Sequence, residues 1–337
     1  MRPTRIRRQL VRAAKGRPAA GAAAPPTIAT TDGVYVFAGQ SQLCNPSFSN
    51  IENTDLYVPS VDTWLRRAPT FCENLKDIGG THIRSGLDQV IVHAGGVGSF
   101  GVKAATRMYK PDNWIVANDM NPPFRAGMVA FERINRGVFV AGGDQTDIFS
   151  TVSQFFPGTL SWGVGNALPI ATSNGAGFSL EDKGWYHGGK QFSTAVVNRM
   201  WRFTGGWASM SSPPLQAPNV FGLTQHSAFG IAADSEGYFC SGIRDGSTIF
   251  TTDVLRWNVA TETWSAAGVV ASLPANRAEA SGAAFDNKGY IHAGQADSGA
   301  AERSEHYQYS PVTDVWKKVA PVPQPKRKRH AAASYGD

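Results

Sequence analysis

Acidic residues are missing from the first 31 positions, cysteine is scarce, and no long apolar run occurs anywhere in the 337-residue chain. Without about eighteen consecutive apolar residues there is no membrane-spanning helix to expect, and the N-terminus lacks the apolar centre of a secretory signal. Cys44, Cys72 and Cys240 are an odd number, far apart, with no CxxC spacing and no histidines beside them. That pattern argues against a disulfide scaffold and a zinc module. It leaves three reduced thiols in an intracellularly assembled protein, with a Cys44–Cys72 bridge open as the alternative.

Charge is thin, at 17% of residues, and its net value of +6 is unevenly placed. Arg2, Arg5, Arg7, Arg8, Arg12, Lys15 and Arg17 crowd the first seventeen positions, which leaves 25 basic against 26 acidic side chains in the remainder. The body is therefore near neutral, and the basic isoelectric point describes the ends of the chain. Ile6, Leu10, Val11 and Ala14 fall at helical spacing among those arginines until Gly16 and Pro18 stop the pattern. About ten residues do not hold a helix alone in water. The following RPAAGAAAPPTIAT has too few side chains to build a core and reads as a spacer. Residues 1–30 are thus expected to form a basic N-terminal arm, and 31–337 a second region.

What the chain has in quantity is glycine, proline and tryptophan: 36, 20 and 9 residues. They recur in order. An apolar strand ending in glycine appears as VYVFAGQ (34–40), VIVHAGG (90–96), VFVAGGD (138–144), WYHGGK (185–190), YFCSGI (238–243) and YIHAGQ (290–295). Most follow a turn such as Asn135-Arg136-Gly137 or Asn287-Lys288-Gly289, a hairpin signal. The next strand opens on an aromatic and leads to Trp64, Trp114, Trp162, Trp207, Trp264 or Trp316, spaced 50, 48, 45, 57 and 52 residues apart. A period near 50 with four short strands per unit is the period of a β-propeller, and six units fit.

A glycine pair after an apolar strand, an aromatic, a turn and a tryptophan resemble the kelch repeat over residues 33–337. The pair is complete at Gly95-Gly96, Gly142-Gly143 and Gly188-Gly189, and reads Gly39-Gln40, Gly242-Ile243 and Gly294-Gln295 elsewhere. The resemblance implies an all-β, six-bladed kelch-like propeller. A further strand precedes each glycine turn, as in Arg125–Glu132, His226–Ala233 and Arg277–Phe285, whereas only PTIATTD precedes Gly33. Arg329–Asp337, RHAAASYGD, is expected to supply the missing strand of the first blade in a 3+1 closure, since an open ring would leave sheet edges unpaired. Lys326–Arg329 then becomes a charged loop entering that strand, either solvated or in contact with a partner.

Catalytic sets that the kelch resemblance brings into view do not materialise. A copper oxidase of that class needs a tyrosine, a cysteine and two histidine ligands. His93, His187 and His292 sit ahead of the repeat glycines, but counted back from the glycine His187 is one residue out of step, which turns a strand side chain to the opposite face. They read as packing residues. GGVGSFG (95–101) leads into another strand and offers no helix N-terminus for a phosphate. No catalytic residue, metal or cofactor is expected.

The first functional reading is a non-enzymatic structural or adaptor protein. Its arm, through Arg2, Arg5, Ile6, Arg7, Arg8, Leu10, Arg12, Lys15 and Arg17, binds other protein chains of a large assembly, with a tailed-phage virion component (tail, fibre base or capsid-attached) assembled in the host cytoplasm as the favoured case. Candidate further contacts are Phe48 in the long loop 40–55, the off-period Trp185 and Trp201, which form an exposed patch or fill core volume, and Lys326 and Arg327. Nucleic-acid contact by the arm is open but not favoured. The second reading is a carbohydrate-binding or carbohydrate-acting propeller that meets a host surface glycan or receptor. The third is an organellar protein whose arm is a targeting peptide.

Overall fold

The computed structural model describes residues 32–37, 40–41, 49–50, 53–67, 78–83, 90–98, 101–110, 113–192, 195–214, 223–244, 249–296, 302–324 and 326–335. Residues 1–30, Phe48, Cys44, Cys72 and most of the long loops lie outside them. The described residues are all-β, in the repeated four-stranded antiparallel sheets of a β-propeller-like fold. No helix among them is long and apolar enough to cross a membrane.

Six such sheets are described. Sheet I holds Gly33–Phe37, Thr54–Val58, Thr63–Arg67 and, from the far end of the chain, Ala331–Tyr335. Sheet II runs from Gly79–Ile83 to Asn113–Val116, sheet III from Val129–Arg133 to Ser161–Gly165 and sheet IV from Ala176–Leu180 to Trp207–Met210. Sheet V runs from Ser227–Ile231 to Thr263–Trp264 and sheet VI from Ser281–Phe285 to Val315–Val319. In sheets II to VI the first strand in the chain is also the inner one, and each inner strand packs on the inner strand of the next sheet. In sheet I that place belongs to Ala331–Tyr335, which pairs antiparallel with Gly33–Phe37, Gly33 opposite Tyr335 and Phe37 opposite Ala331. The same strand packs on Gly79–Ile83 and on Ser281–Phe285.

Each sheet is apolar on both faces, so each must be covered twice. The buried side chains form six clusters, one per pair of neighbouring sheets: Tyr35, Phe37 and Leu56 meet Ile91, Tyr109 and Trp114 between I and II, and Val34, Val36 and Tyr57 meet Tyr290 and Val319 between I and VI. Burying a large aliphatic or aromatic side chain contributes roughly 1.5–3 kcal/mol, so these interfaces are the core. The periodic tryptophans sit at their outer ends, as expected of packing residues. Trp64 Nε1 donates to the Ala320 carbonyl at 2.9 Å, Trp162 to Asn118 at 3.0 Å, Trp207 to Asn166 at 2.8 Å, Trp264 to Ser211 at 2.8 Å and Trp316 to Ala271 at 2.9 Å. In every case the acceptor follows the outer strand of the preceding sheet.

Trp185 and Trp201 are not a surface patch. Trp185 is 0% exposed and packs 5.6 Å from Trp257 between sheets IV and V, while Trp201, 1% exposed, lies against Tyr186 between III and IV. Their strands alternate between two buried faces, so an off-period tryptophan is still interior. Two strand starts also move. The inner strands of sheets III and VI begin at Val129 and Ser281, four residues after Arg125 and Arg277, because the intervening residues form a corner.

The glycine pair needs realignment. The first member has φ of 63°, 68° and 69° at Gly95, Gly142 and Gly188, and Ser241 (57°) and Ala293 (49°) take that same place. The second member, Gly96, Gly143, Gly189, Gly242 and Gly294, has φ of 90–103° and donates its N–H to a carbonyl of the next sheet at 2.8–3.0 Å. It is the first glycine that is replaced in sheets V and VI, not the second. The left-handed well tolerates a single Ser or Ala, whereas φ near 100° is open only to glycine. We expect Gly242→Ala, whose Cβ would lie 2.6 Å from the Cβ of His226, to lose roughly 1–3 kcal/mol. Ser241→Gly, compatible with its φ, should stay within about 1 kcal/mol of the parent. Equal losses in urea unfolding would refute the assignment.

Candidate functional site

Two residues ahead of the inner strands of sheets III to VI and I the chain turns a corner. The corner residues Gly127, Asn174, Gln225, Glu279 and Arg329 all lie in the left-handed region, with φ between 53° and 63°. Their backbones form a belt that crosses from sheet to sheet. Asn174 N–H donates to Gly127 O at 2.7 Å, Gln225 to Asn174 at 2.7 Å, Glu279 to Gln225 at 3.0 Å and Arg329 to Glu279 at 2.9 Å. Holding non-glycine residues there costs on the order of 1 kcal/mol each, least for Asn. The corner carbonyls and amides would otherwise face each other unpaired.

Because five sheets bring corresponding residues to one place, Gly127, Asn174, Gln225, Glu279 and Arg329 are among the residues that line a cavity of about 100 Å³, with His226 and His330. Glu279, its side chain 3% exposed, accepts at Oε1 from Arg329 at 2.6 Å and pairs through Oε2 with Lys328 Nζ at 3.5 Å. Lys328 also donates to Gln295 Oε1 at 2.6 Å. Asp144, Lys190 and Gln295, each one residue past its glycine pair, bridge to Ala126, Ser173 and Ala278 beside the corners. Asp144 Oδ2 lies 3.5 Å from Asn174 Nδ2 and 3.6 Å from Lys190 Nζ. A second, larger cavity of about 330 Å³ is bounded by residues of all six inner strands, mostly Gly, Ala and Ser, with Glu132 and Asp182 among them.

Two residues before the corner glycine or polar residue, sheets III, VI and I carry Arg125, Arg277 and Arg327, all 0% exposed. Arg125 donates to Val140 O and Ser153 Oγ at 3.1 and 3.0 Å. Arg277 donates to Ala293 O at 2.9 Å and stacks 4.8 Å from the Tyr307 ring. Burial draws the guanidinium of both down to about 10. Arg327 instead meets a carboxylate, Asp55 Oδ2, at 2.5 Å with neither side chain exposed, and burial lowers its ordinarily very high value against the pull of Asp55. The second oxygen of Asp55 accepts from Arg66 Nε at 2.6 Å.

Lys326–Arg329 is therefore not a solvated loop. Arg327 and Lys328 are buried at 0% and 9% exposure, Arg329 is in the corner belt, and Lys326 is half-buried beside Gln324. Arg327 is a structural ion pair and not a partner contact. Of the other predicted site residues, Trp185 and Trp201 are core, and the arm residues and Phe48 lie outside the described residues. The corner was missed because its signal is faint: RAGM, RAEA and RKRH place an arginine four residues ahead of an inner strand, while sheets IV and V use Thr172 and Leu223 there.

The histidines separate into pockets between sheets. His93 packs on Phe37 and Trp114, His187 donates to or accepts from His226 at 3.1 Å, and His292 stacks 4.4 Å from His306. With the realigned glycines, His187 and His292 occupy the same register and His93 is the one out of step, the reverse of the sequence expectation. No group of three or more His, Cys, Asp or Glu among the described residues is placed to hold a metal. Desolvation holds His93, His187 and His306 down at about 3 and His226, His292 and His330 well below the ordinary histidine value. Burial likewise pushes the Cys240 thiol far above its usual range.

No family model and no curated protein matches the sequence. Among solved structures, the chain is similar to one titled "Structure of YjhT", with a TM-score of 0.61, 14% identity, and coverage of 78% of this chain and 88% of that one. The likeness is one of fold.

Two predictions follow from these groups. Asp55→Asn leaves the Arg327 guanidinium buried without its charge partner, a loss of about 3–5 kcal/mol, and the Asp55→Asn, Arg327→Gln pair should recover part of it. Additive losses in a double-mutant cycle would show the two not to be coupled. For pH, the six enclosed histidines are neutral in the fold and titrate near pH 6.5 when unfolded. Above that value neither state binds the proton. Below it the unfolded chain takes up protons that the fold refuses, so stability falls with pH, by up to about 1.4 kcal/mol per histidine per pH unit, down to about 3, where His93, His187 and His306 protonate in place. The urea midpoint should hold level above neutrality and drop steadily below about pH 6.5. A level midpoint down to about pH 5 would mean the imidazoles are already charged or solvated.

Proposed function

We propose that residues 31–337 are a six-bladed kelch-like β-propeller closed 3+1 by the C-terminal strand, acting as a non-enzymatic adaptor that residues 1–30 anchor in a larger assembly. Closure is supported by the pairing of Ala331–Tyr335 with Gly33–Phe37 and by Trp64, which reaches back to Ala320 across 256 positions. The observation that carries the adaptor reading is the use of the buried titratable groups. Six histidines, three arginines and Asp55 are committed to interfaces between sheets. A scaffold of this kind presents rigid edges and loops, and partner contacts belong to its loops and its arm. A basic arm joined to the body by an Ala/Pro-rich spacer suits a component that locks onto neighbouring chains, and a tailed-phage virion is the assembly we favour.

Expressed in its native producing cell, the full chain should be recovered in a large particle by sedimentation, and the chain lacking residues 1–30 should be recovered free with an unchanged unfolding midpoint. Incorporation of the shortened chain at parental level would overturn the anchoring role.

A further inference from the structure

The six enclosed histidines are not shared evenly among the interfaces between sheets. His93 stands alone between sheets I and II, His187 and His226 form a pair between IV and V, and His292, His306 and His330 gather between VI and I.

That last interface also differs in connectivity. Elsewhere the chain leaving the outer strand of one sheet becomes the inner strand of the next, whose hairpin continues into the rest of that sheet. Gly33–Phe37, Thr54–Val58 and Thr63–Arg67 run on to sheet II in this way, but nothing covalent joins them directly to sheet VI or to Ala331–Tyr335. The joint consists of the strand pairing from Gly33 opposite Tyr335 to Phe37 opposite Ala331, of Trp64 and Asp62 on Ala320, of Arg66 on the Gln324 carbonyl at 3.3 Å and of Arg327 on Asp55.

The imidazoles lie against this joint. His292 ends the second strand of sheet VI and His306 opens the third opposite it, with ring centroids 4.4 Å apart. Their cover comes from the far side: Tyr57 stands edge-on to His306 at 4.3 Å, and Trp64 lies 5.2 Å from His306 and 6.1 Å from His292. Both histidines are fully buried. Among the described residues neither nitrogen of His292 meets a hydrogen-bond partner, nor does Nε2 of His306, whose Nδ1 faces the Ala320 carbonyl at 3.2 Å. His330, with both nitrogens likewise unanswered, lies close enough for its charge to bear on His292.

The charges around the cluster are already engaged. Two guanidiniums, Arg277 and Arg327, face it and oppose further positive charge. Asp55 is held by Arg327 and Arg66, Asp62 by the Tyr57 hydroxyl and the Ala320 amide with Lys317 beside it, and Glu305 by Arg303, Arg277 and Lys318. Glu279 pairs with Lys328 and Arg329 at the neighbouring corner. The phenol of Tyr290 completes the surroundings, 5.6 Å from His306. Asp62 draws His306 towards its charged form, but burial outweighs it and holds that imidazole down at about 3, with His292 and His330 also well below the ordinary value. The closed joint therefore refuses protons that the opened joint accepts, so closure is fully supported above about pH 6.5 and loses ground below it.

We propose that the joint between sheets VI and I is an acid-operated catch: on mild acidification the three N-terminal strands of sheet I part from sheet VI and from Ala331–Tyr335, before the other sheets unfold, as His292 and His306 take up protons. Opening there uncovers two or more of the enclosed histidines and sacrifices one of the six clusters, the one that Val34, Val36 and Tyr57 share with Tyr290 and Val319. For each imidazole the opening equilibrium rises about tenfold between pH 7.5 and 5.5, and so at least about a hundredfold for His292 and His306 together. The catch rests on the closure by residues 331–335 and is independent of the adaptor role.

Hydrogen exchange of the full-length chain, followed by mass spectrometry at about pH 7.5, 6.5 and 5.5 with labelling times scaled to the intrinsic amide rate, locates the opening. Gly137–Ala141 of sheet III, a sheet that carries none of the six histidines, is the internal reference. We expect the protection of Gly33–Phe37 and Ala331–Tyr335 to fall together by at least about a hundredfold over that range and to drop below that of Gly137–Ala141. His306→Phe, which keeps an aromatic ring beside Tyr57, should reduce the fall by about tenfold, and His93→Phe, between sheets I and II, should leave it as it is. Protection that holds level at the joint, loss in step with sheet III to the same protection, or an undiminished fall in His306→Phe overturns the proposal. Ala331–Tyr335 unprotected already at the highest pH overturns it together with the closure. Should His306→Phe not fold, the comparison of joint and reference in the parent chain decides.

Discussion

A four-stranded sheet that is apolar on both faces has no stable existence alone, and the packing of the described residues answers to that constraint. Each sheet of this chain buries one face against the sheet before it and the other against the sheet after it, giving six shared clusters and no separate centre. Such a series is satisfied only where its first and last members also meet. Sheet I takes its inner strand from residues 331–335, and that strand touches sheets II and VI. The seam carries its own reinforcement: Arg327 on Asp55, Trp64 on Ala320, and Asp62, which accepts from the Ala320 amide at 2.8 Å and from Tyr57 at 2.7 Å. The Ala320 amide and the Tyr57 hydroxyl hold the Asp62 carboxyl below its ordinary value.

The strands were legible because burial on both faces writes apolar runs and the turns between them write glycine. The tryptophans were legible because an indole N–H needs a partner at the sheet boundary, and the boundary recurs every fifty residues or so. What the sequence concealed is conformation. Ser241 and Ala293 look like ordinary strand residues, yet they stand in the left-handed place of a glycine, so counting back from the surviving glycine shifts the alignment by one. A shift of one in a strand exchanges faces, and the histidine register was misread for that reason. Trp185 and Trp201 were set apart as off-period, although a strand buried on both sides has no free face on which an extra aromatic could be exposed.

Charge was the other source of error. Lys326–Arg329 reads as a solvated run because four cations in a row have nowhere to hide in a local view. In the fold they are dispersed: Arg327 goes inward to Asp55, Lys328 to Gln295 and Glu279, and Arg329 across the corner to Glu279. Their acidic partners lie 272, 49 and 50 positions away, beyond any local pattern. Paired burial of this kind contributes little net stability but makes the wrong arrangement expensive, which suits a junction that must form between the two ends of a long chain.

The corners show how such a repeat makes room for a site. Backbone hydrogen bonds in the belt run from Gly127 to Arg329 whatever side chain each corner carries. Since the amides and carbonyls hold the corner, the belt does not dictate the side chain there, and sheets III to VI and I present Gly, Asn, Gln, Glu and Arg in succession. The arginines two residues earlier have no such freedom, being enclosed and tied to carbonyls or to Asp55. At the left-handed position a substitution alters the lining of the cavity and leaves the backbone belt between sheets intact. A fold of repeated units acquires chemical individuality at the positions its own repeat does not use.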